Sequence, residues 1–198
     1  MRLTRAQQQQ RTHDRLLDAG RSVFLARGFL ATTVEEIAAE AGYTRGAVYK
    51  HFGGKEGIWQ AIVEARANQL LQGMEAALDR VGERDELLAV LNPGNIDGED
   101  EAARWAVVSA ESLPTMAVHP QHAAALAALQ NRLDAAVTGL LERHCDRLRL
   151  EPAAPVSHLV VAWGAMGAGL ALRHAVDPDT DVAAVMASLL AAVFRSKS

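Results

Sequence analysis

Three features of the sequence predict an all-α fold. Alanine is abundant, whereas the β-branched and aromatic residues that favour strands are sparse, and aromatic residues make up only 5% of the chain. Apolar residues recur at helical spacing, as Leu16, Val23 and Phe24 do near the start. Proline and glycine clusters separate these periodic segments. We therefore expect about nine helices, arranged as a three-helix head joined by a long helix to a larger helical body.

The head begins with two helices whose ends are marked by specific residues. A first helix over about 7–27 meets a stop signal at Gly28. Thr33 and Glu36 have the spacing of a capping box, so a short second helix begins directly after the threonine. Gly42 can adopt the left-handed conformation that ends this helix.

Capping and helix-breaking residues also mark the ends of the later helices. Thr44 is a good N-cap for a third helix that runs to Phe52, and Gly53-Gly54 precedes a long fourth helix over about 55–81. The clearest loop is NPGNIDGED at 92–100. Pro114 should kink or end the helix in which it lies. The later helices are expected at about 99–118, 120–149, 155–175 and 179–195.

Charge divides the chain at Lys55. Residues 1–55 hold nine Lys and Arg against five Asp and Glu, whereas the remainder holds eleven against nineteen. A basic head on an acidic body is the asymmetry expected when only the head meets phosphate. We therefore assign residues 1–55 to a DNA-binding domain and residues 56–198 to the body.

The number of cysteines and the hydropathy of the chain predict its cellular compartment. Cys145 is the only cysteine, so no intramolecular disulfide can form. Residues 1–10 are polar and lack the apolar core of a signal peptide. No stretch reaches the roughly 20 apolar residues of a membrane span, and the longest run, 159–172, predicts a buried packing helix. We expect a cytoplasmic protein.

The second and third helices with their Gly-centred turn have the pattern of a helix-turn-helix. Such a unit inserts its second helix into the major groove of DNA, with the N-terminal residues of that helix at base edges. Arg45 can donate to guanine O6 and N7, Thr44 can contact a phosphate or a thymine methyl, and Gly46 permits close approach. Tyr49, Lys50 and His51 can contact phosphates or base edges, although Tyr49 could instead be packed and His51 could lack a role.

Residues 28–59 read GFLATTVEEIAAEAGYTRGAVYKHFGGKEGIW. This segment resembles the DNA-binding head of the TetR family of bacterial repressors, with mild departures at Tyr43 and Gly53-Gly54. The positions that carry the resemblance are Gly28, Phe29, Thr32, Thr33, Ile37, Ala38, Ala41, Gly42, Thr44, Tyr49, Phe52, Lys55 and Glu56.

The resemblance implies a transcriptional repressor that binds double-stranded DNA at a pseudo-palindromic operator. It assigns phosphate contacts to Thr33, Tyr49 and Lys55, and it places Thr44, Arg45, Lys50 and His51 at or near the groove. The predicted DNA-contacting residues are Thr33, Thr44, Arg45, Gly46, Tyr49, Lys50, His51 and Lys55.

A dimer is expected because one head contacts too little DNA for tight and selective binding. The resemblance implies that the last two helices pair across a two-fold axis, where three glycines would allow close helix approach. The alternative is that these helices form intramolecular core. The predicted interface residues are Leu159, Val160, Met166, Leu170, Val182, Val185, Met186, Leu189 and Val193.

The resemblance also implies a small-molecule effector, bound between the fourth helix and the helices beyond the 92–100 loop, that releases the repressor from DNA. The candidate pocket residues are Trp105, Val108, Met116, His119, Leu126, Leu129, Leu133 and Trp163. The alternative is a body that senses a protein partner or no ligand.

Enzymatic and metal-dependent functions have little support. The chain has no phosphate loop, nucleophile elbow or HExxH pair, and the acidic cluster at Asp97 and 99–101 suits a solvated loop. His119 and His122 flank Pro120, and His144-Cys145 cannot close a metal site alone. We therefore predict no catalytic residues, no bound metal and no cofactor.

Overall fold

The computed structural model describes residues 4–92 and 98–197, and it confirms the all-α class. Within these ranges, nine helices accompany one pair of three-residue strands. The helices are α1 (Arg5–Ala31), α2 (Val34–Ala41), α3 (Arg45–Phe52), α4 (Lys55–Leu78), α5 (Arg84–Leu91), α6 (Glu99–Ala117), α7 (Pro120–Arg147), α8 (Val156–Val176) and α9 (Val182–Val193). The strands are β1 (Leu150–Pro152) and β2 (Phe194–Ser196), which pair antiparallel.

The chain folds into two compact units. The first unit comprises Met1–Arg66 and Val108–Leu126, and the second comprises Ala67–Val107 and Ala127–Ser198. The first unit therefore contains α1 to α3, the start of α4 and short parts of α6 and α7. The boundary predicted after residue 55 falls inside the first unit, and as a functional division it stays a prediction.

Local sequence signals set the ends of α1 to α3. Thr33 Oγ1 accepts the Glu36 N–H at 3.3 Å and the Glu36 carboxylate accepts the Thr33 N–H at 2.9 Å, which confirms the predicted capping box. Gly42 is left-handed, with φ of 72°, and ends α2 as predicted. Gly28, with φ of 81°, interrupts α1, but helical residues resume after it. Thr44 is the N-cap of α3 by position, without a side-chain hydrogen bond.

An aromatic cluster lies at the centre of the first unit. Phe24 and Phe29 are stacked with ring centroids 5.7 Å apart, and the Trp59 ring meets Phe24 edge-on at 5.2 Å. All three side chains are at most 1% exposed. A Cβ at Gly20 would lie 3.0 Å from Ile58 Cδ1, so this glycine allows α1 to approach α4 closely. These contacts fix α1 and α4 as the support for the helix-turn-helix.

Glu111 of α6 joins the end of α1 within the first unit. Its carboxylate accepts the backbone N–H of Phe29 at 2.7 Å and of Leu30 at 3.3 Å. These N–H groups follow the non-helical Gly28, where a Cβ would lie only 2.5 Å from Glu111 Oε2. The glycine therefore provides both the backbone conformation and the space for the carboxylate.

The second unit has its own apolar core. α5, which the sequence analysis did not predict, supplies Leu87 and Leu91 to it. Arg84 of the same helix donates from Nε to the Phe194 carbonyl at 2.7 Å and so ties α5 to β2. The buried members of this core are Met74, Leu78, Val81, Leu87, Leu91, Val137, Leu140, Leu141, Cys145, Leu150, Val160, Met186, Leu190 and Phe194.

Three further expectations have different outcomes. Pro114 lies inside α6, which continues to Ala117, so the proline does not end the helix, and the kink that was the other expectation stays a prediction. The predicted loop at 92–100 lies partly outside the described residues, since 93–97 are not among them. The expectation of a buried packing helix at 159–172 is wrong, because only 17% of the most apolar stretch of α8 is buried. By length and hydropathy alone α8 could also cross a membrane.

The nine residues predicted for the dimer interface divide by burial. Those that lie in the second unit's own core, at 5% exposure or less, are Val160, Val182 and Met186. Those that are partly buried against that core are Leu159, Met166, Leu170 and Val193. Only Val185 and Leu189 are exposed, at 41% and 42%. Burial within the chain corrects the prediction for the first three, because a partner cannot reach them.

Cys145 is buried in the second unit, and burial raises the pKa of its thiol to about 11, with smaller contributions from Asp146 and Glu142. At about pH 8 the thiolate fraction is then roughly a hundredfold below that of an ordinary cysteine. We expect iodoacetamide to label the native chain at least about a hundred times more slowly than the unfolded chain. Mass spectrometry of timed samples measures both rates, and equal rates would contradict the burial of the thiol.

Candidate DNA-binding site

The helix-turn-helix presents one polar face to solvent. Ile37 of α2 and Val48 of α3 are fully buried and pack inward. The side of α3 that includes Arg45, Tyr49 and Lys50 is exposed. Thr44 and Gly46, at the N-terminal end of α3, are also exposed. Five of the eight predicted DNA-contacting residues therefore share one open surface at the start and along the outer side of α3.

Arg45 is held by two neighbours on this surface. Its Nη1 lies 3.0 Å from Glu35 Oε1, and its Nη2 donates to the Tyr49 hydroxyl at 3.2 Å. The guanidinium carbon is 5.1 Å from the Tyr49 ring centroid. The Tyr49 hydroxyl and then the Glu35 carboxylate raise the pKa of Arg45 above its ordinary value. Arg45 is therefore a fixed positive charge with a defined orientation.

His51 lies at the edge of the same helix, partly covered. Its ring centroid is 6.0 Å from that of His13 in α1 and 6.2 Å from that of Phe52. Burial, followed by the charges of His13 and Lys50, lowers the pKa of His51 below 6.5. His51 is therefore neutral at pH 7 and offers a hydrogen bond rather than a positive charge.

Thr33 and Lys55 are already engaged with the protein. The Thr33 hydroxyl both accepts from the Glu36 N–H and donates to the Glu36 carboxylate, at 3.3 and 3.0 Å. Lys55 Nζ donates to the Thr32 carbonyl at 2.8 Å and to the Leu30 carbonyl at 3.3 Å, and it lies 4.6 Å from the Phe29 ring centroid. Because two of the three ammonium N–H groups of Lys55 donate to these carbonyls, the predicted phosphate contact would have to use the third.

The candidate effector residues are distributed over both units. Those in the first unit are Val108, Met116, His119 and Leu126, and those in the second are Trp105, Leu129, Leu133 and Trp163. Met116 is fully buried, whereas His119 is exposed. The indole N–H of Trp163 donates to the Leu91 carbonyl at 2.8 Å. The effector site stays a prediction.

The acidic cluster has structural contacts in the second unit. Glu99 Oε1 accepts the Ala183 N–H at 3.2 Å, and Asp100 Oδ1 lies 3.4 Å from Nε2 of the buried His174. The Thr180 carbonyl, which faces the other ring nitrogen, contributes most to the raised pKa of His174. Asp97 lies outside the described residues. These contacts anchor the start of α6 to the α8–α9 turn.

Glu35 is the residue of this surface that sequence reasoning missed. It lies ten positions before Arg45, on the neighbouring helix, so no helical spacing relates the two side chains. Nothing in the sequence sets Glu35 apart from the other four acidic residues of the head. No group of three or more His, Cys, Asp or Glu side chains that could hold a metal occurs among the residues that the structure describes.

Comparison with known proteins gives a family match over the head. The model of a family described as bacterial regulatory proteins, tetR family, matches residues 16–62. The HTH-type transcriptional regulator SrpR of Pseudomonas putida is 43% identical over 65 residues, which are 33% of this chain and 30% of SrpR. The chain therefore spans less than a third of SrpR in this match.

Other similarities extend over the whole chain. The HTH-type transcriptional regulator BetI of Brucella anthropi is 29% identical over 179 residues, covering 88% of this chain and 87% of BetI. The solved structure of SmeT, the repressor of the Stenotrophomonas maltophilia multidrug efflux pump SmeDEF, is 25% identical with a TM-score of 0.62. It covers 92% of this chain and 90% of SmeT. Residues 16–62 therefore match the DNA-binding head of the TetR family of bacterial transcriptional regulators, and similarity to such regulators extends over most of the chain.

Proposed function

We propose that the chain is a cytoplasmic, non-enzymatic repressor that binds a pseudo-palindromic operator as a dimer and leaves it when a small-molecule effector binds the body. The observation that carries the DNA-binding part is the exposed face of α3, with Arg45 at its N-terminal end and Tyr49 and Lys50 one turn further on. SmeT, a repressor with similarity over nearly its whole length, supports the assignment of repression.

The roles of the contact residues follow from their chemistry. Arg45 donates to guanine in the major groove, and Thr44 contacts a phosphate or a thymine methyl. Lys50 and the neutral His51 contact phosphates or base edges, while Tyr49 orients Arg45 and can also reach a phosphate. Gly46, which has no side chain, allows the backbone to approach the groove.

Dimerisation is supported by the apolar surface of α8 and α9. Val161 is 56% exposed on α8, and Val185 and Leu189 are each over 40% exposed on α9. Other residues of the same helices, such as Val160 and Met186, are buried, so the exposed residues lie beside the buried stripe of each helix. Apolar helix faces of this kind are typical of a surface that a second chain covers. The proposed dimer interface is accordingly Val161, Leu172, Val185 and Leu189.

Release by an effector requires that the ligand binds the DNA-free state more tightly than the DNA-bound state. The competing possibility is a body that senses a protein partner or no ligand. A thermal-shift screen of small molecules separates the two possibilities. Compounds that raise the melting temperature and lower operator affinity support an effector, whereas normal operator binding without such compounds favours the alternative.

The variants Arg45→Ala and Lys50→Ala test the assignment of α3. Each is expected to weaken binding to the preferred DNA site by about 1–3 kcal/mol where the residue reads a base. A residue that contacts phosphate would instead weaken binding to all sequences and reduce the salt dependence by about one unit of slope. Fluorescence anisotropy at several salt concentrations measures both effects.

Arg104→Ala is the matched control, because Arg104 is an exposed arginine in the second unit. It removes the same charge from a helix outside the helix-turn-helix and should leave operator affinity nearly unchanged. Unchanged affinity and unchanged salt dependence in both α3 variants would refute the assignment of this helix to the groove.

A further inference from the structure

Glu35 places a negative charge on the surface proposed to meet DNA. It lies in the first turn of α2, and its carboxylate contacts Arg45 Nη1 at 3.0 Å. The neighbouring Glu36 has a structural role, because it caps α2 through Thr33 and pairs with Arg27. Glu35 is thus engaged with a side chain that is proposed to read a base, rather than with the helix end.

The pair contributes little to folding stability. The side chain of Arg45 is 62% exposed and that of Glu35 is 57% exposed. Water and salt screen such a pair, so its energy is small. A carboxylate facing DNA also repels phosphates and lowers affinity for every sequence. General DNA affinity therefore does not account for this acid, and its place in the first turn of α2, where an acid stabilises the helix, does not account for its contact with Arg45.

The geometry suits a guanidinium held ready for a base. Glu35 contacts Nη1 and the Tyr49 hydroxyl accepts from Nη2, while the guanidinium carbon lies over the Tyr49 ring. An arginine has five N–H donors, so two contacts leave about three for a base edge. A side chain that is already oriented loses less conformational entropy when it binds.

We propose that Glu35 is a specificity-determining positioning residue, which orients Arg45 towards guanine and opposes the use of Arg45 on phosphates. At a matched site, the two hydrogen bonds from Arg45 to guanine offset the repulsion between Glu35 and the DNA backbone. At a mismatched site the repulsion remains without that compensation. The acid thereby lowers affinity for unrelated DNA more than affinity for the operator. This inference rests on the proposed DNA-binding function.

The test compares Glu35→Gln with Glu40→Gln, which removes the same charge from an exposed glutamate at the other end of α2. The probes are the duplex that the wild-type chain selects from random DNA and a shuffled duplex of equal composition. Kd values are measured for both duplexes at several salt concentrations. Thermal melting of both variants should stay within a few degrees of the wild type, because both side chains are exposed and interact with the helix ends only weakly.

Glu35→Gln is expected to tighten binding to the shuffled duplex and to reduce the ratio of specific to non-specific affinity by about three- to tenfold, part of the discrimination that one bidentate contact provides. Glu40→Gln should change the affinities for both duplexes by the same factor and leave the ratio unchanged. A ratio for Glu35→Gln equal to that of the wild type, or an equal fall in Glu40→Gln, would overturn the proposal.

A double-mutant cycle with Arg45→Ala shows whether Glu35 acts through Arg45. In the Arg45→Ala background, Glu35→Gln should no longer change the affinity ratio. A fall as large as in the wild-type background would mean that Glu35 acts independently, which also overturns the proposal. A wild-type chain with no preference between the two duplexes would instead refute the proposed function itself, before any variant is compared.

Discussion

Val161→Glu and Leu189→Glu are each expected to convert the proposed dimer to a monomer and to weaken operator binding by at least about a hundredfold. Both side chains are exposed on the apolar surface of α8 and α9, at 56% and 42%. A two-fold axis makes each substitution occur twice in the interface, and each one buries a carboxylate without a partner. Loss of the dimer then removes one of the two heads that read the operator.

Val118→Glu is the matched control, because Val118 is 72% exposed and belongs to the first unit, whereas α8 and α9 belong to the second. Sedimentation at micromolar concentration measures oligomeric state, and anisotropy measures operator affinity. The control should remain dimeric with normal affinity. A monomeric wild type would contradict the proposed interface, and if it also bound phospholipid vesicles through α8, the apolar surface would instead face a membrane.

Phe24→Ala is expected to destabilise the first unit by about 3–5 kcal/mol, the usual cost of removing a buried phenylalanine. Phe24 is fully buried and contacts the rings of Phe29 and Trp59, so the truncation leaves a cavity where α1 meets α4. Denaturant unfolding followed by circular dichroism measures the loss. DNA binding should fall with it, because α1 and α4 support the helix-turn-helix.

Leu30→Ala is the control for this change, since Leu30 belongs to the same helix but is 67% exposed. It should alter the free energy of unfolding by less than about 0.5 kcal/mol, as surface substitutions usually do. An equally small effect for Phe24→Ala would mean that the aromatic cluster does not stabilise the unit.

The sequence predicted the helix-turn-helix to within a residue because its signals are local. The capping box of Thr33 and Glu36 and the left-handed Gly42 determine both ends of α2 within a few neighbouring residues. α5 was missed because Glu83 is not one of the preferred N-cap residues, and the helix relies on the Glu86 carboxylate, which accepts the N–H groups of Gly82 and Glu83.

The contacts that complete the site depend on tertiary structure. Helical phase predicted correctly that Arg45 and Lys50 would be exposed and Val48 buried. It gave no indication that Lys55 would bind the carbonyls of residues 30 and 32, or that Glu35 would reach Arg45, because these partners come from other helices. Sequence patterns relate residues along one element and do not measure distances between elements.

The same limit explains the errors on α8 and α9. These helices are apolar around most of their circumference, so periodicity does not distinguish the side that packs on the chain's own core from the side that is open. Val160 and Val161 are adjacent in sequence, yet the first is 2% exposed and the second 56%. Only packing against the core of the second unit distinguishes the buried side of each helix from the exposed side.

Selection of bound sequences from random double-stranded DNA shows whether this protein reads an operator as a dimer. We expect recovery of two inverted half-sites, spaced so that two copies of α3 enter successive major grooves, about one helical turn apart or a multiple of it. We also expect Arg45→Ala to relax the preference for guanine at one position of each half-site. Recovery of no enriched sequence, or of a single half-site bound by one chain, would contradict the claim that this protein reads an operator as a dimer.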